Sequence, residues 1–230
     1  MAIPSTLKGA LRPVTVVVGH YGAGKTSFSV NLAIDLAAEG SQVTLIDLDI
    51  VNPYFRATEQ RKVLEEHGIG LVAPVFSEVG TSLDVPSLTG RITPSIQGAG
   101  EGSYVIIDAG GDDAGSTALG RYAREITARG YAMLYVANRY RNLVQDPQDA
   151  LENLREIEFA SRLKATAIVN NSHLKDATTE QTVLQGVEYA EELSGLFGLP
   201  LVCTTVPGAL NMPGNISAYP IEPYVRTPWE

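Results

Sequence analysis

Residues Gly19-His20-Tyr21-Gly22-Ala23-Gly24-Lys25-Thr26 constrain this chain more than any other stretch. They follow an apolar run, Val14 to Val18, and precede a segment with helical periodicity. Strand, glycine-rich loop and helix form the setting in which G-x-x-x-x-G-K-[ST] is a phosphate-binding site. The glycines let the loop curl so that consecutive backbone N–H groups point at an anion. The positive end of the following helix adds to that field. Lys25 is placed to reach the outer phosphates and the Thr26 hydroxyl to ligate Mg²⁺. Gly19, Gly22, Ala23, Gly24 and Ser27 complete the expected cradle.

Composition narrows the context. At 230 residues the chain suits one large domain, and we expect a single nucleotide-binding domain over 1–230. Its apolar runs are strand-length, far short of the ~20 residues of a membrane span. A net charge of −9 argues against a general nucleic-acid or anionic-membrane surface. The start of the chain carries no secretory apolar core, and the single cysteine, Cys203, forms no internal disulfide. Both features predict a cytoplasmic protein, with Cys203 a small core residue.

Read in order, residues 1–12 predict a loosely ordered lead-in and Val14 to Val18 a strand. A helix follows from Lys25 to Glu39, stopped by Gly40, then a strand from Val43 to Asp47. Asp47-Leu48-Asp49 and Asn52-Pro53-Tyr54-Phe55-Arg56 leave the carboxyl end of that strand, where ligands sit in open α/β sheets. Asn52 to Arg56 reads either as a polar loop whose Tyr54 and Phe55 pack down or as a functional loop. A short helix over Thr58 to His67 and a strand over Ile69 to Val75 follow. Phe76 to Gly102 is rich in Gly, Pro, Ser and Thr, with a turn or two of helix over Ser87 to Gln97, and reads as an insertion or lid. Tyr104 to Asp108 is a buried strand ending in a carboxylate, the place where phosphate-loop proteins hold Mg²⁺. Gly110 and Gly111 let the backbone approach a terminal phosphate, and Asp112 or Asp113 caps a helix over Ser116 to Arg129. Tyr131 to Val136 is the next strand, followed by the basic cluster Asn138-Arg139-Tyr140-Arg141. Further elements are a helix over Asp146 to Leu163 with Asp146 as cap, a strand over Ala165 to Val169, a helix over Thr179 to Phe197 and a strand over Leu199 to Val206. A proline-rich surface tail covers 211–230. Alternation of strands and helices predicts an α/β fold, a doubly wound, mostly parallel sheet with helices on both faces.

On these motifs the chain resembles the MinD/ParA/nitrogenase-iron-protein branch of the phosphate-loop NTPases from about Val14 to Gly208. Within that branch it resembles a subgroup with the opening Gly-His-Tyr-Gly-x-Gly-Lys-Thr and the run Asp-Ile-Val-Asn-Pro-Tyr-Phe-Arg. The resemblance implies ATP with Mg²⁺ as ligands, Thr26 and Asp108 at the metal, and Lys25 with Asp49 in hydrolysis. Asp49 would position the attacking water, with Asp47 the alternate for that role or a Mg²⁺ partner. Gly111 would approach the terminal phosphate, Asn171 would read the purine base and Pro207 would pack near the adenine. It also implies a nucleotide-dependent switch acting on a protein partner, with a homodimer in some members and Arg56 in the switch loop. Three departures matter. Where deviant-loop members carry a lysine that reaches the partner's nucleotide, this chain has His20, which would hydrogen-bond locally. Cluster-sharing and nickel-inserting members need more cysteines than Cys203 alone. Membrane-bound members end in a basic amphipathic helix, which the run Tyr219 to Glu230 cannot form. With the acidic net charge, this disfavours septum positioning and DNA partitioning. The alternatives are a small-molecule kinase or ligase-like enzyme akin to dethiobiotin synthetase, or a nucleotide-sensing module with negligible turnover.

Overall fold

The computed structural model describes residues 2–49, 57–73, 90–208, 210, 212–214 and 216–224. Eight strands form one sheet in the order β3-β2-β4-β1-β5-β6-β7-β8, and every neighbouring pair runs parallel. The strands are β1 (Val14–Val18), β2 (Gln42–Leu48), β3 (Gly70–Val72), β4 (Ser103–Ala109), β5 (Tyr131–Ala137), β6 (Ala167–Asn170), β7 (Leu201–Pro207) and β8 (Ala218–Ile221). A parallel sheet needs cover on both faces, so its central strands are apolar without alternation, and β1 is buried at all five positions.

Side chains of β1 and β4 divide between two cores. Val14, Val16, Val18, Val105 and Ile107 face one, while Val17 and Ile106 face the other. The first core is closed by α4 (Ile92–Gly98), α5 (Asp113–Gly120), α6 (Ala123–Arg129), α7 (Pro147–Ser161) and α8 (Glu180–Phe197), through residues such as Ile96, Leu119, Ile126, Ile157 and Leu193. The second is closed by α1 (Ser5–Ala10), α2 (Lys25–Ala38) and α3 (Ala57–Glu66), through Leu7, Phe28, Leu32 and Leu64. The chain leaves β1 toward one face and β4 toward the other. The strand order therefore reverses around β1 and opens a crevice at its carboxyl end.

Several elements differ from the sequence expectation for identifiable reasons. Residues 5–10 of the lead-in form α1, with Leu7 fully buried and the Thr6 hydroxyl donating to the Val202 carbonyl at 2.6 Å. One buried apolar residue in a six-residue helix leaves no periodicity to read. The helix expected over Ser116 to Arg129 is two, broken where the N–H groups of Arg121 and Tyr122 bond three residues back, to Ala118 and Leu119. The 211–230 tail contributes a strand, β8, paired with β7. Its Pro220 hid it, since a proline fits only an edge strand, and β8 is the sheet edge. β2 runs one residue further than expected at each end, so Asp47 lies inside the strand. Asn52 to Arg56, the last two residues (74 and 75) of the strand expected over Ile69 to Val75, and residues 76–89 of the glycine- and serine-rich stretch lie outside the described residues.

Candidate functional site

The loop between β1 and α2 sits over the crevice. Gly19, Gly22 and Gly24 have φ of 143°, 73° and 90°, and the Ala23 N–H donates to the His20 carbonyl at 3.1 Å, closing the curl. Gly24 is the N-cap of α2 and supplies no side-chain cap, so first-turn N–H groups of α2 are directed at the loop's interior. Gly24 has to be glycine twice over. Its φ is left-handed, and a methyl group there would lie 2.1 Å from the Asn171 amide nitrogen. Lys25 is only 7% exposed, with its ammonium donating to the His20 carbonyl at 3.1 Å. Thr26 is buried in the first turn of α2, and Ser27 follows, half-buried, its carbonyl accepting from Asn31 Nδ2.

Three carboxylates gather on the β4–β2 side of the loop. Asp47 and Asp108 are register partners on adjacent strands, and Asp108 in turn pairs with Val17 of β1. The Asp47 carboxylate accepts from the Asp49 N–H at 2.9 Å, which fixes the turn that presents Asp49. A methyl group on Gly110 would lie 3.6 Å from Asp49 Oδ1, and one on Gly111 only 2.2 Å from the Gly19 carbonyl. Gly111 is thus in backbone contact with the loop, and any side chain would push the two segments apart. Asp112 is the residue that caps α5, its carboxylate accepting from the Gly115 N–H at 2.8 Å. Thr26, Asp47 and Asp108 offer oxygen donors only, the set that suits a hard divalent cation such as Mg²⁺.

The β5–β6 side is different in chemistry. Asn171, fully buried, donates from Nδ2 to the Ala23 carbonyl at 2.6 Å and accepts from the Thr205 hydroxyl. It clamps the loop to β7 through two strand ends. The structure thus brings Asn171 directly beneath the loop, whereas Pro207 lies half-buried at the end of β7. Thr205 escaped sequence reasoning because it lies inside an apolar strand. His20 makes a local bond, Nδ1 to the Tyr21 carbonyl at 3.0 Å. Tyr21, 56% exposed, stands beside Leu143, 78% exposed with a φ of 70°. His173 is held below the ordinary histidine range by burial first, then by the charges of Arg141 and Lys175. Its Nδ1 accepts from the Lys175 N–H at 3.2 Å, which requires the neutral ring at that nitrogen. Cys203 is buried in β7, and burial pushes its thiol up.

Residues 14–182 match the family model CbiA, the CobQ/CobB/MinD/ParA nucleotide binding domain, and the chain belongs to that family. It is a nucleotide-binding protein of the MinD/ParA-like phosphate-loop NTPase class. It is similar to an iron-sulfur cluster carrier protein of Deinococcus radiodurans, 32% identical over 125 residues, covering 46% of this chain and 36% of that protein. It is also similar to the cytosolic Fe-S cluster assembly factor CFD1 of Yarrowia lipolytica, 34% identical over 86 residues, covering 36% of this chain and 29% of that protein. The matches therefore span about a third of these relatives' length. Among solved structures, the signal recognition particle receptor FtsY of Elizabethkingia anophelis superposes with a TM-score of 0.53 at 23% identity, covering 84% of this chain and 58% of that one. Chloroplast FtsY of Physcomitrella patens gives a TM-score of 0.56 at 18% identity, with the same coverage. At these identities the likeness concerns the fold. Among the described residues, no helix is long and apolar enough to cross a membrane.

Proposed function

We propose that the chain binds ATP with Mg²⁺ in the β1–α2 loop and hydrolyses it slowly, as a cytoplasmic switch read by a protein partner. The observation that carries this reading is the loop itself. Its left-handed glycines and uncapped helix start converge beside Lys25, and a cluster of carboxylates faces the same crevice. Backbone N–H groups of Gly22 to Thr26 and the Lys25 ammonium hold the phosphates and stabilise charge that builds on the transferring phosphoryl group. Thr26 and Asp108 hold Mg²⁺, with Asp47 as a further oxygen donor. When bound, the ion neutralises phosphate charge. Asp49, held in its turn by Asp47, orients the attacking water. Gly111 follows the terminal phosphate because its backbone touches the loop. Pro207 borders the purine ring, while Asn171, its amide engaged by the Ala23 carbonyl and the Thr205 hydroxyl, holds the loop in place beneath the nucleotide. The segment expected to carry the switch is Asn52 to Arg56, with Arg56 able to pair with phosphate or with a partner acid.

The names of the relatives point to proteins of iron–sulfur assembly as the partner class. A cluster carried by this chain itself is disfavoured, since its one cysteine is buried with its thiol pushed up. The test is Asp49→Asn. Phosphate release should fall about 100-fold while ATP stays bound, the scale of a lost water-orienting group. Release at the wild-type rate would remove Asp49 from the mechanism. A pull-down with the ATP-locked variant then identifies the partner by mass spectrometry.

A further inference from the structure

Different charged groups lie nearest the loop on its two sides, and Asp149, Glu152 and Glu156 line a separate groove beside His20 and Leu143. Toward β4 and β2 lie Asp47, Asp49 and Asp108. Toward β5 and β6 lie Arg141 and His173, and Arg141 rests on the loop. A methyl group on Gly22 would meet its Nε at 3.6 Å, its Cδ at 3.7 Å and its Cζ at 3.9 Å. The turn that brings it there is closed by its own N–H on the Asn138 carbonyl at 3.2 Å. Arg141 Nε is buried and has no hydrogen-bond partner among the described residues. Its neighbour Arg139 is committed elsewhere, to the Gln185 carbonyl at 2.9 Å and the Tyr140 ring. His173, near enough to feel the charge of Arg141, offers no carboxylate and accepts from the Lys175 N–H, so it does not neutralise the guanidinium. An open groove of about 340 Å³ between His20–Gly22 and Tyr140–Leu143 gives solvent access to Arg141. Among the described residues no ion pair holds this half-buried guanidinium, so an anion that reaches it would be favoured.

We propose that Arg141 is a nucleotide-binding residue that grips the α-phosphate and sugar end of the bound nucleotide from the β5 side of the loop. The proposal rests on the nucleotide-binding reading above and adds a contact outside the loop motif. The side of the contact follows from the sheet. The carboxylates that would flank a metal and the terminal phosphate lie across β1, toward β4 and β2. Arg141 lies on the opposite side, next to the strand end that carries Asn171. It therefore serves the part of the ligand that ATP and ADP share.

Calorimetric titration of the full chain with MgATP and with MgADP tests this, using wild type, Arg141→Ala and Arg141→Lys. Arg141→Ala should weaken both nucleotides about tenfold, the scale of one charge-assisted hydrogen bond, and Arg141→Lys should fall between it and wild type. Unchanged affinity for both nucleotides in both variants overturns the proposal. So does a loss confined to ATP, which would put the guanidinium at the terminal phosphate. A wild-type chain that binds neither nucleotide overturns the nucleotide reading itself, an outcome separate from any effect of the variants.

Discussion

At the scale of single residues, the site is built by close approach. Gly111 has its Cα where any side chain would strike the Gly19 carbonyl and the His20 backbone, at 2.2 and 2.9 Å. Gly111→Ala should therefore displace the loop and weaken ATP at least about tenfold in titration, since phosphate recognition depends on N–H groups held in place. An unchanged affinity would mean that the loop yields without loss of its cradle. His173 sets a pH dependence. Its folded pKa lies below the ordinary 6.5, so on acidification the unfolded chain takes up the proton first. The stability it contributes is complete above about 6.5 and is lost as pH falls toward the folded value. Urea midpoints measured between about pH 7 and 5, where an ordinary histidine titrates, should fall more steeply for wild type than for His173→Gln. Equal slopes would contradict the burial argument.

At the scale of elements, α2 joins the site to the edge of the sheet. Its start carries Lys25 and Thr26, and its middle is tied to the last strand. Asn31 Nδ2 donates to the Glu222 carbonyl at 2.9 Å, and its Oδ1 accepts from the Glu222 N–H at 2.8 Å. Tyr219, buried under α2 and edge-on to Phe28, donates to Asp35 Oδ2 at 2.7 Å. Burial and the Asp35 carboxylate push the Tyr219 hydroxyl up, so it stays a donor. Tyr219→Phe should cost about 1–2 kcal/mol by denaturant unfolding, the usual scale of a buried bond to a charged group. A cost near zero would show that Asp35 is satisfied without it. None of this was legible beforehand, because Tyr219-Pro220-Ile221 reads as a proline-broken tail and the strand is specified by its neighbours. The central strands were legible for the opposite reason: β1, β4 and β5 are buried on both faces and must be continuous apolar runs. The glycine loop and the carboxylates at strand ends were equally open to reading, since their chemistry is local. The clamp of Asn171 on Ala23 and Thr205 joins residues far apart in sequence, and only the sheet order brings them together.

At the scale of the whole molecule, one parallel sheet sorts charge around a single crevice. β2 and β4, on one side of β1, end at carboxylates, and β5 and β6, on the other, end at amides, with Arg139 and Arg141 following β5. A polyanion with a divalent cation at one end and a nucleoside at the other matches that division. His20 bonds to its own loop, and the exposed Tyr21 and Leu143 stand on the outer wall. Under the proposed switch reading, nucleotide state would change how this face meets a partner. The central claim is that the β1–α2 loop binds ATP through Lys25. The most direct measurement is titration of the chain with ATP and Mg²⁺, wild type against Lys25→Ala. The account predicts one saturable site in wild type and a loss of affinity of about 100-fold or more in the variant, the cost of removing a buried charge that pairs with phosphate. Equal affinity in the two proteins, or no binding to wild type, would contradict it.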